Sequence, residues 1–325
     1  MLKGWMAALC AVASAWGIAA GTAGGAAAQA YPSQDIRLVA AFPPGTGADV
    51  LVRYFAEKLR PLAGRTIIVE NKPGAGGNIA TEYLVRAKPD GHTILVHSGS
   101  TLASNYHLIK NNPIDAGKQV QIAATINRQA FMLVVDNSKP WKTLAELTAH
   151  VKARGDKATY GVAANGGKAM CAIYQARADF NAVEVLYKVA QDSLNDMANG
   201  TVDFGCHDPV FALSQHREGR LRILGVASTE RLKAAPDFPT MTEAGYPMDL
   251  VGWFSAIVPV ATPRPVVDQI NKWFQQIHEL EETRTFLRNF GGDPWVATPD
   301  EGQARLLKDI HDWVEYVRVA KLQPQ

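Results

Sequence analysis

Ile36-Arg37-Leu38-Val39-Ala40-Ala41-Phe42-Pro43-Pro44-Gly45-Thr46-Gly47-Ala48-Asp49 is the stretch on which the reading of this chain turns. From Ile36 to Ala41 it is apolar apart from Arg37 and reads as a buried strand. Asp49 reads as an N-cap, and Val50 to Leu59 carries apolar residues at helical spacing. A strand therefore ends in a glycine-rich turn that opens a helix. Such a start presents unpaired backbone N–H groups and the positive end of a helix dipole, so an anion can sit there without Lys or Arg. The plainer account is a tight turn that needs Gly and Asp for conformation alone. The loop lacks the third glycine of a dinucleotide fingerprint, and no Walker A loop is present.

The 325 residues are 47% hydrophobic and 20% charged, ordinary globular composition with length for two domains. Lys plus Arg is 33 against 31 acidic residues, which gives no reason to expect nucleic acid or an anionic membrane surface as partner. The first thirty residues differ in kind. Lys3 is a short positive region, Trp5 to Ala20 is apolar, and small residues lead to Ala28-Gln29-Ala30. This reads as a secretory signal peptide cut before Tyr31, and so as a periplasmic protein. Leu9 before Cys10 does not fit a lipoprotein signal. Two cysteines then remain, Cys171 and Cys206, readable as a disulfide in an oxidising compartment or as two buried thiols. No CxxC, HExxH or Cys/His cluster at ligand spacing is present, so neither metal nor cofactor is expected.

Strand and helix signals alternate along both halves. Ile36–Phe42, Thr66–Glu70 and His92–His97 read as strands, with helices over Asp49–Arg60 and from Gly76-Gly77-Asn78 to about Ala87. Such alternation argues for an α/β fold with a largely parallel sheet. A second strand, glycine turn, helix unit follows in Thr159–Ala163, Ala164-Asn165-Gly166-Gly167 and a helix from about Ala169. Chain crossings near Ile126–Phe131 and Leu250–Trp253 would join two such halves, and Asp300 to about Ala320 reads as helix. Lys168, beside the second loop, could pair with an anion. Ser98-Gly99-Ser100 is no nucleophile elbow. His207-Asp208 after a strand is the one His/Asp pair with the look of a site, against the plainer account of a loop that caps a helix.

Together these segments resemble a known family. Tyr31-Pro32-Ser33, the Phe42–Asp49 loop, Val69-Glu70-Asn71-Lys72-Pro73-Gly74-Ala75-Gly76-Gly77-Asn78, Pro89-Asp90-Gly91-His92-Thr93, Tyr187-Lys188, Gly200-Thr201-Val202-Asp203 and Pro239-Thr240-Met241-Thr242-Glu243-Ala244-Gly245 stand at its spacing. The chain looks like a Bug-type substrate-binding protein of the tripartite tricarboxylate transporter system.

The resemblance implies a two-lobed periplasmic binding protein fold (type II, Venus flytrap) with a central sheet in each lobe. Its lobes would be 31–127 with 253–325, and 128–252. It implies a monomer that is not an enzyme and that closes on a small carboxylate, di- or tricarboxylate or aromatic, and delivers it to membrane transporter subunits. The implied ligand residues are Phe42, Pro44, Gly45, Thr46, Gly47, Ala48 and Asp49 in the first lobe, with Gly99, Ser100 and Thr101. In the second lobe they are Ala163, Ala164, Asn165, Gly166, Gly167, Lys168 and Asp208.

This chain departs from the pattern at Ala169-Met170, Val189-Ala190 and Pro209. Met170, Phe211, Trp253 and Phe254 would suit a larger or aromatic carboxylate, or are ordinary core. The other functions weighed are a sensor docking a membrane kinase and a secreted hydrolase using His207.

Overall fold

The computed structural model describes residues 31–187 and 189–324. The expected signal peptide lies outside them. β1 (Ile36–Ala40) leads to α1 (Gly47–Ala63), β2 (Ile67–Asn71), α2 (Asn78–Val85), β3 (Thr93–Ser98), α3 (Gly99–Leu108) and the one-turn α4 (Ala116–Gln119). β4 (Val120–Ala130) hands the chain to β5 (Met132–Asp136). Then come α5 (Leu144–Arg154), β6 (Thr159–Val162), α6 (Asn165–Ala178), β7 (Val183–Leu186), α7 (Ser193–Asn199), β8 (Phe204–His207), α8 (Pro209–Arg217) and β9 (Leu221–Val226). β10 (Val251–Pro259) brings the chain back, and α9 (Arg264–Glu279), α10 (Glu281–Asn289), β11 (Asp293–Pro294) and α11 (Pro299–Val319) follow.

These strands form two sheets, in the orders β11-β4-β10-β3-β1-β2 and β7-β6-β8-β5-β9. β1 runs parallel to β2 and β3, and β6 parallel to β7 and β8, as strand–helix alternation dictates. The expectation of a largely parallel sheet is corrected by β10 and β5. β10 is antiparallel to β3, and β5 is antiparallel to β8 and β9. Each of these strands arrives from the other unit, at the edge where the parallel strands leave, and so runs against them. The crossings are tied to each other. Ala130 pairs with Val251, Phe131 O accepts from Ala227 N at 2.9 Å, and Leu250 N donates to Ala227 O at 3.0 Å.

Helices cover both faces of the first sheet. α1 is amphipathic: Leu51, Val52, Phe55 and Leu59 are fully buried, and Phe55 stacks on Phe274 of α9 at 5.4 Å. Truncating a buried Phe such as Phe55 to Ala costs about 3–5 kcal/mol. Gly64 ends α1 in the left-handed region (φ 61°), donating its N–H to Arg60 O. On the other face, one apolar cluster runs unbroken from Leu84, Leu102 and Trp253 into Leu133, Tyr174 and Phe204 of the second unit. α11 packs on α3 and α6 together, so it bridges the two units. A second tie is polar. The buried Asp293 carboxylate accepts from Lys233 N at 2.8 Å and Ala234 N at 2.6 Å.

Candidate functional site

The start of α1 is closed by its own side chains. Thr46, and not Asp49, is the N-cap: its Oγ1 accepts from Asp49 N at 3.3 Å. Asp49 lies one turn further in, 2% exposed, and its carboxylate is consumed by the loop. It accepts from Gly45 N at 2.9 Å, Arg53 Nε at 2.9 Å and Asn71 Nδ2 at 2.7 Å. Burial pushes the Asp49 carboxyl up, but these bonds outweigh it and hold it below the usual carboxylate range. Gly45 supplies the turn (φ 81°) that aims its N–H at this carboxylate. Among the loop amides, those of Gly47 and Ala48 are left over.

The Gly74–Asn78 run packs within its own unit and does not line the cavity between the units. A Cβ on Gly77, whose φ is 88°, would stand 2.2 Å from His97 Nε2, and Asn78 bonds Asn105 and Asn112.

α3 is a helix that the sequence did not announce. Ser98 caps it, accepting from Thr101 N at 3.2 Å. At Gly99 any Cβ would enter the Trp253 ring at 2.2 Å. The next residue, Ser100, carries a buried Oγ with no partner.

The start of α6 is open. Its N-cap, Ala164 (φ −149°, ψ 155°), has no side chain that can accept, so the amides of Asn165, Gly166 and Gly167 are uncapped. The helix begins four residues before the sequence places it. Gly166 and Gly167 are there because bulk is excluded: their Cβ atoms would stand 2.2 Å from Phe131 Cε2 and 2.2 Å from Cys206 O. The Cys171–Cys206 disulfide is formed and ties α6 to β8. Lys168 is committed to Glu184 at 2.9 Å.

The start of α8 is closed again. Asp208 caps it through Phe211 N at 3.0 Å, with Pro209 at N1. Burial raises the Asp208 carboxyl above its ordinary value, partly offset by those amides. His207 is 2% exposed, 3.1 Å from Ser193 Oγ, and burial pushes it down to about 4. The helix-capping account of His207-Asp208 is the one the geometry matches.

A cavity of about 330 Å³ lies between the units. The expected residues on its wall are Phe42, Ser100, Thr101, Ala164, Asn165 and Gly166. Pro44, Gly45, Thr46, Gly47, Ala48, Asp49, Gly99, Ala163, Gly167, Lys168 and Asp208 are not on it. Of the four apolar residues singled out, Phe254 lines it, whereas Met170, Phe211 and Trp253 are core.

Of the rest of the wall, Pro209 stands among the departures from the family pattern, and the other residues were not foreseen. The two crossings supply Gln129, Phe131 and Asp249 to Gly252, and α11 supplies Arg305, Asp309, Trp313 and Tyr316. Those α11 residues fall at i, i+4, i+8 and i+11, one helix face mixing charge with aromatics, which was the available signal. Arg305 Nε stands 2.7 Å from Asp309 Oδ1 without hydrogen-bond alignment, and Nη2 donates to Val251 O at 3.2 Å. Trp253 Nε1 donates to Asp309 Oδ2 at 2.7 Å, and burial pushes Asp309 up to about 6. A larger, open depression of about 1090 Å³ around Arg37, Tyr83 and His92 is ringed by charges of both signs and lies away from the crossings.

The chain is similar to known proteins over nearly its whole described length. Residues 51–317 match the model of the tripartite tricarboxylate transporter family receptor. Protein BugT of Bordetella pertussis is 28% identical over 306 residues, covering 92% of this chain and 93% of that protein. Among solved structures, periplasmic binding protein BugD superposes with a TM-score of 0.75 at 27% identity, covering 91% of this chain and all of that one. An R. palustris protein solved with adipate gives 0.78 at 25% identity, with 91% and 100% covered. MatC from Rhodopseudomonas palustris with bound malate gives 0.72 at 25%, with 88% and 100% covered. The two mixed sheets with their helices are thus the two-lobed architecture of periplasmic binding proteins.

Proposed function

We propose, from the premise that this chain belongs to the tripartite tricarboxylate transporter receptor family, that it captures a small carboxylate in the cavity between its units. The family is one of solute-binding receptors and not of enzymes, which sets the hydrolase reading aside. One observation carries the proposal: Asn165 and Gly166, at a helix start whose amides are uncapped, line a partly apolar cavity. A carboxylate there is the cap that Ala164 cannot provide. Ser100 of the first unit, whose buried Oγ has no partner among the described residues, lines the same cavity. A ligand bonded to both would hold the units together, and exclusion of water would strengthen each bond. Adipate and malate in the two related structures support this class of ligand.

The proposal has further parts. The chain is exported by the signal peptide ahead of Tyr31 and acts as a monomer. Its lobes are 31–127 with 253–325, and 128–252, closing about the two crossings. It hands its ligand to membrane transporter subunits. The test is a thermal-shift screen of the mature chain with citrate, succinate, terephthalate and glutamate. A matching carboxylate at one hundred times its Kd adds about 2.7 kcal/mol of stability. No shift across a broad carboxylate panel would remove the proposal.

A further inference from the structure

We propose that Asp249 decides the second polar group of the ligand: a hydrogen-bond donor, amino or hydroxyl, in place of a second carboxylate. The inference rests on the carboxylate reading above and deepens it. Among the residues lining the cavity, the charged ones are Asp249, Arg305 and Asp309.

Arg305 is already engaged. Its Nε faces Asp309 at 2.7 Å, its Nη2 serves Val251 O, and only Nη1 looks toward Asp249, at 3.9 Å. Both Asp309 oxygens are engaged as well, one by Arg305 and the other by Trp253 Nε1. Trp253 in turn lies against Gly99 at the start of α3, which fixes Asp309 in place. Asp249 is different. Among the described residues its carboxylate has that one loose charge contact and no hydrogen bond, and the residue lines the cavity. An ionised carboxylate accepts only, so its spare lone pairs favour a donor. A second ligand carboxylate would meet Asp249 with Arg305 already neutralised by Asp309, and like charges repel most where water is thin. Around these groups the wall is Phe42, Phe131, Leu250, Phe254 and Trp313, suited to a flat or branched apolar body. The geometry thus describes a monocarboxylate with an apolar middle and a donor elsewhere on the molecule.

Calorimetry on the full mature chain tests this with series that share one scaffold. One series is benzoate, 4-hydroxybenzoate, 4-aminobenzoate and terephthalate; the other is hexanoate, 6-aminohexanoate and adipate. In at least one series the donor-bearing member binds at least tenfold tighter than the parent, and the dicarboxylate binds weakest. In Asp249→Asn the ratio between donor-bearing member and dicarboxylate collapses to within about threefold. The dicarboxylate binding tightest in wild type, or a ratio unmoved in a folded Asp249→Asn, overturns the assignment of Asp249 and leaves the carboxylate reading standing. Silence from every member of both series overturns the carboxylate reading itself, and this inference with it. The wild-type series decides even if the variant fails to fold.

Discussion

The helix starts at Gly47 and Asn165 follow one local recipe, a strand, a glycine-bearing turn and a helix, and they end in opposite states. At Gly47 the turn supplies its own anion. Asp49 reaches back to Gly45, and Thr46 caps the helix. At Asn165 no side chain reaches back, and the two glycines are filled from outside by Phe131 and Cys206 O. An unsatisfied helix start at an internal cavity is costly unless something else completes it. A glycine loop marks a binding site when amides without an internal acceptor also face a cavity: Asn165 and Gly166 line one, whereas Gly47 and Ala48, whose amides are also left over, do not.

The disulfide belongs to the open unit alone. Closing a loop across a sequence separation of 35 contributes about 4 kcal/mol in the chain-entropy account. Reduction should lower stability by about that much and raise hydrogen exchange in β6, β8 and α6, with β1 to β3 protected as before. Equal loss of protection in both units would remove the asymmetry.

Acid is the next test, because each unit holds a buried histidine whose pKa is lowered. His97 and His207 are both pushed down to about 4 by burial, below the ordinary value of 6.5. A base with a lowered folded pKa stabilises the fold above its unfolded pKa and loses that contribution as pH falls. Each therefore gives up on the order of 3 kcal/mol between pH 6.5 and 4. Asp309 works the other way. Its folded value of about 6 lies above the ordinary carboxylate value of 3.8, so acidification relieves a penalty of similar size. The net loss expected by urea titration is about 3 kcal/mol, and His97→Gln or His207→Gln should each flatten the profile. A profile unchanged in either variant would show that its histidine is not titrating with the fold.

Thr46→Ala should cost about 1 kcal/mol in stability by removing the α1 cap, with ligand affinity held within about twofold because that loop is closed on itself. A tenfold loss of affinity would place the first loop in the site after all.

Much of the fold was legible. The β1–α1 unit, the second strand–glycine–helix unit, both crossings and the C-terminal helix α11 were all placed from their sequence patterns. The mixed sheets were not, because β5 and β10 take their direction from the crossing of the chain and not from any local pattern. α3 escaped because its buried face holds Gly99, Ser104 and Asn105, which pack and hydrogen-bond without a hydrophobic period. The early start of α6 escaped because Asn165-Gly166-Gly167 has loop composition, and the space its glycines leave is filled from distant strands. The α11 side of the cavity could not be placed without knowing that this helix bridges the units.

The central claim is that the open start of α6 is completed by the carboxylate of a ligand. Ala164→Asp tests it by giving the helix a carboxylate of its own at the N-cap. Calorimetry with the best carboxylate from the screen, alongside the melting temperature of the free protein, reads the result. The account predicts a protein as stable or more stable by about 1 kcal/mol, with affinity reduced tenfold or more because the amides are already filled. A stabilised Ala164→Asp protein that binds its carboxylate as tightly as the parent would contradict it.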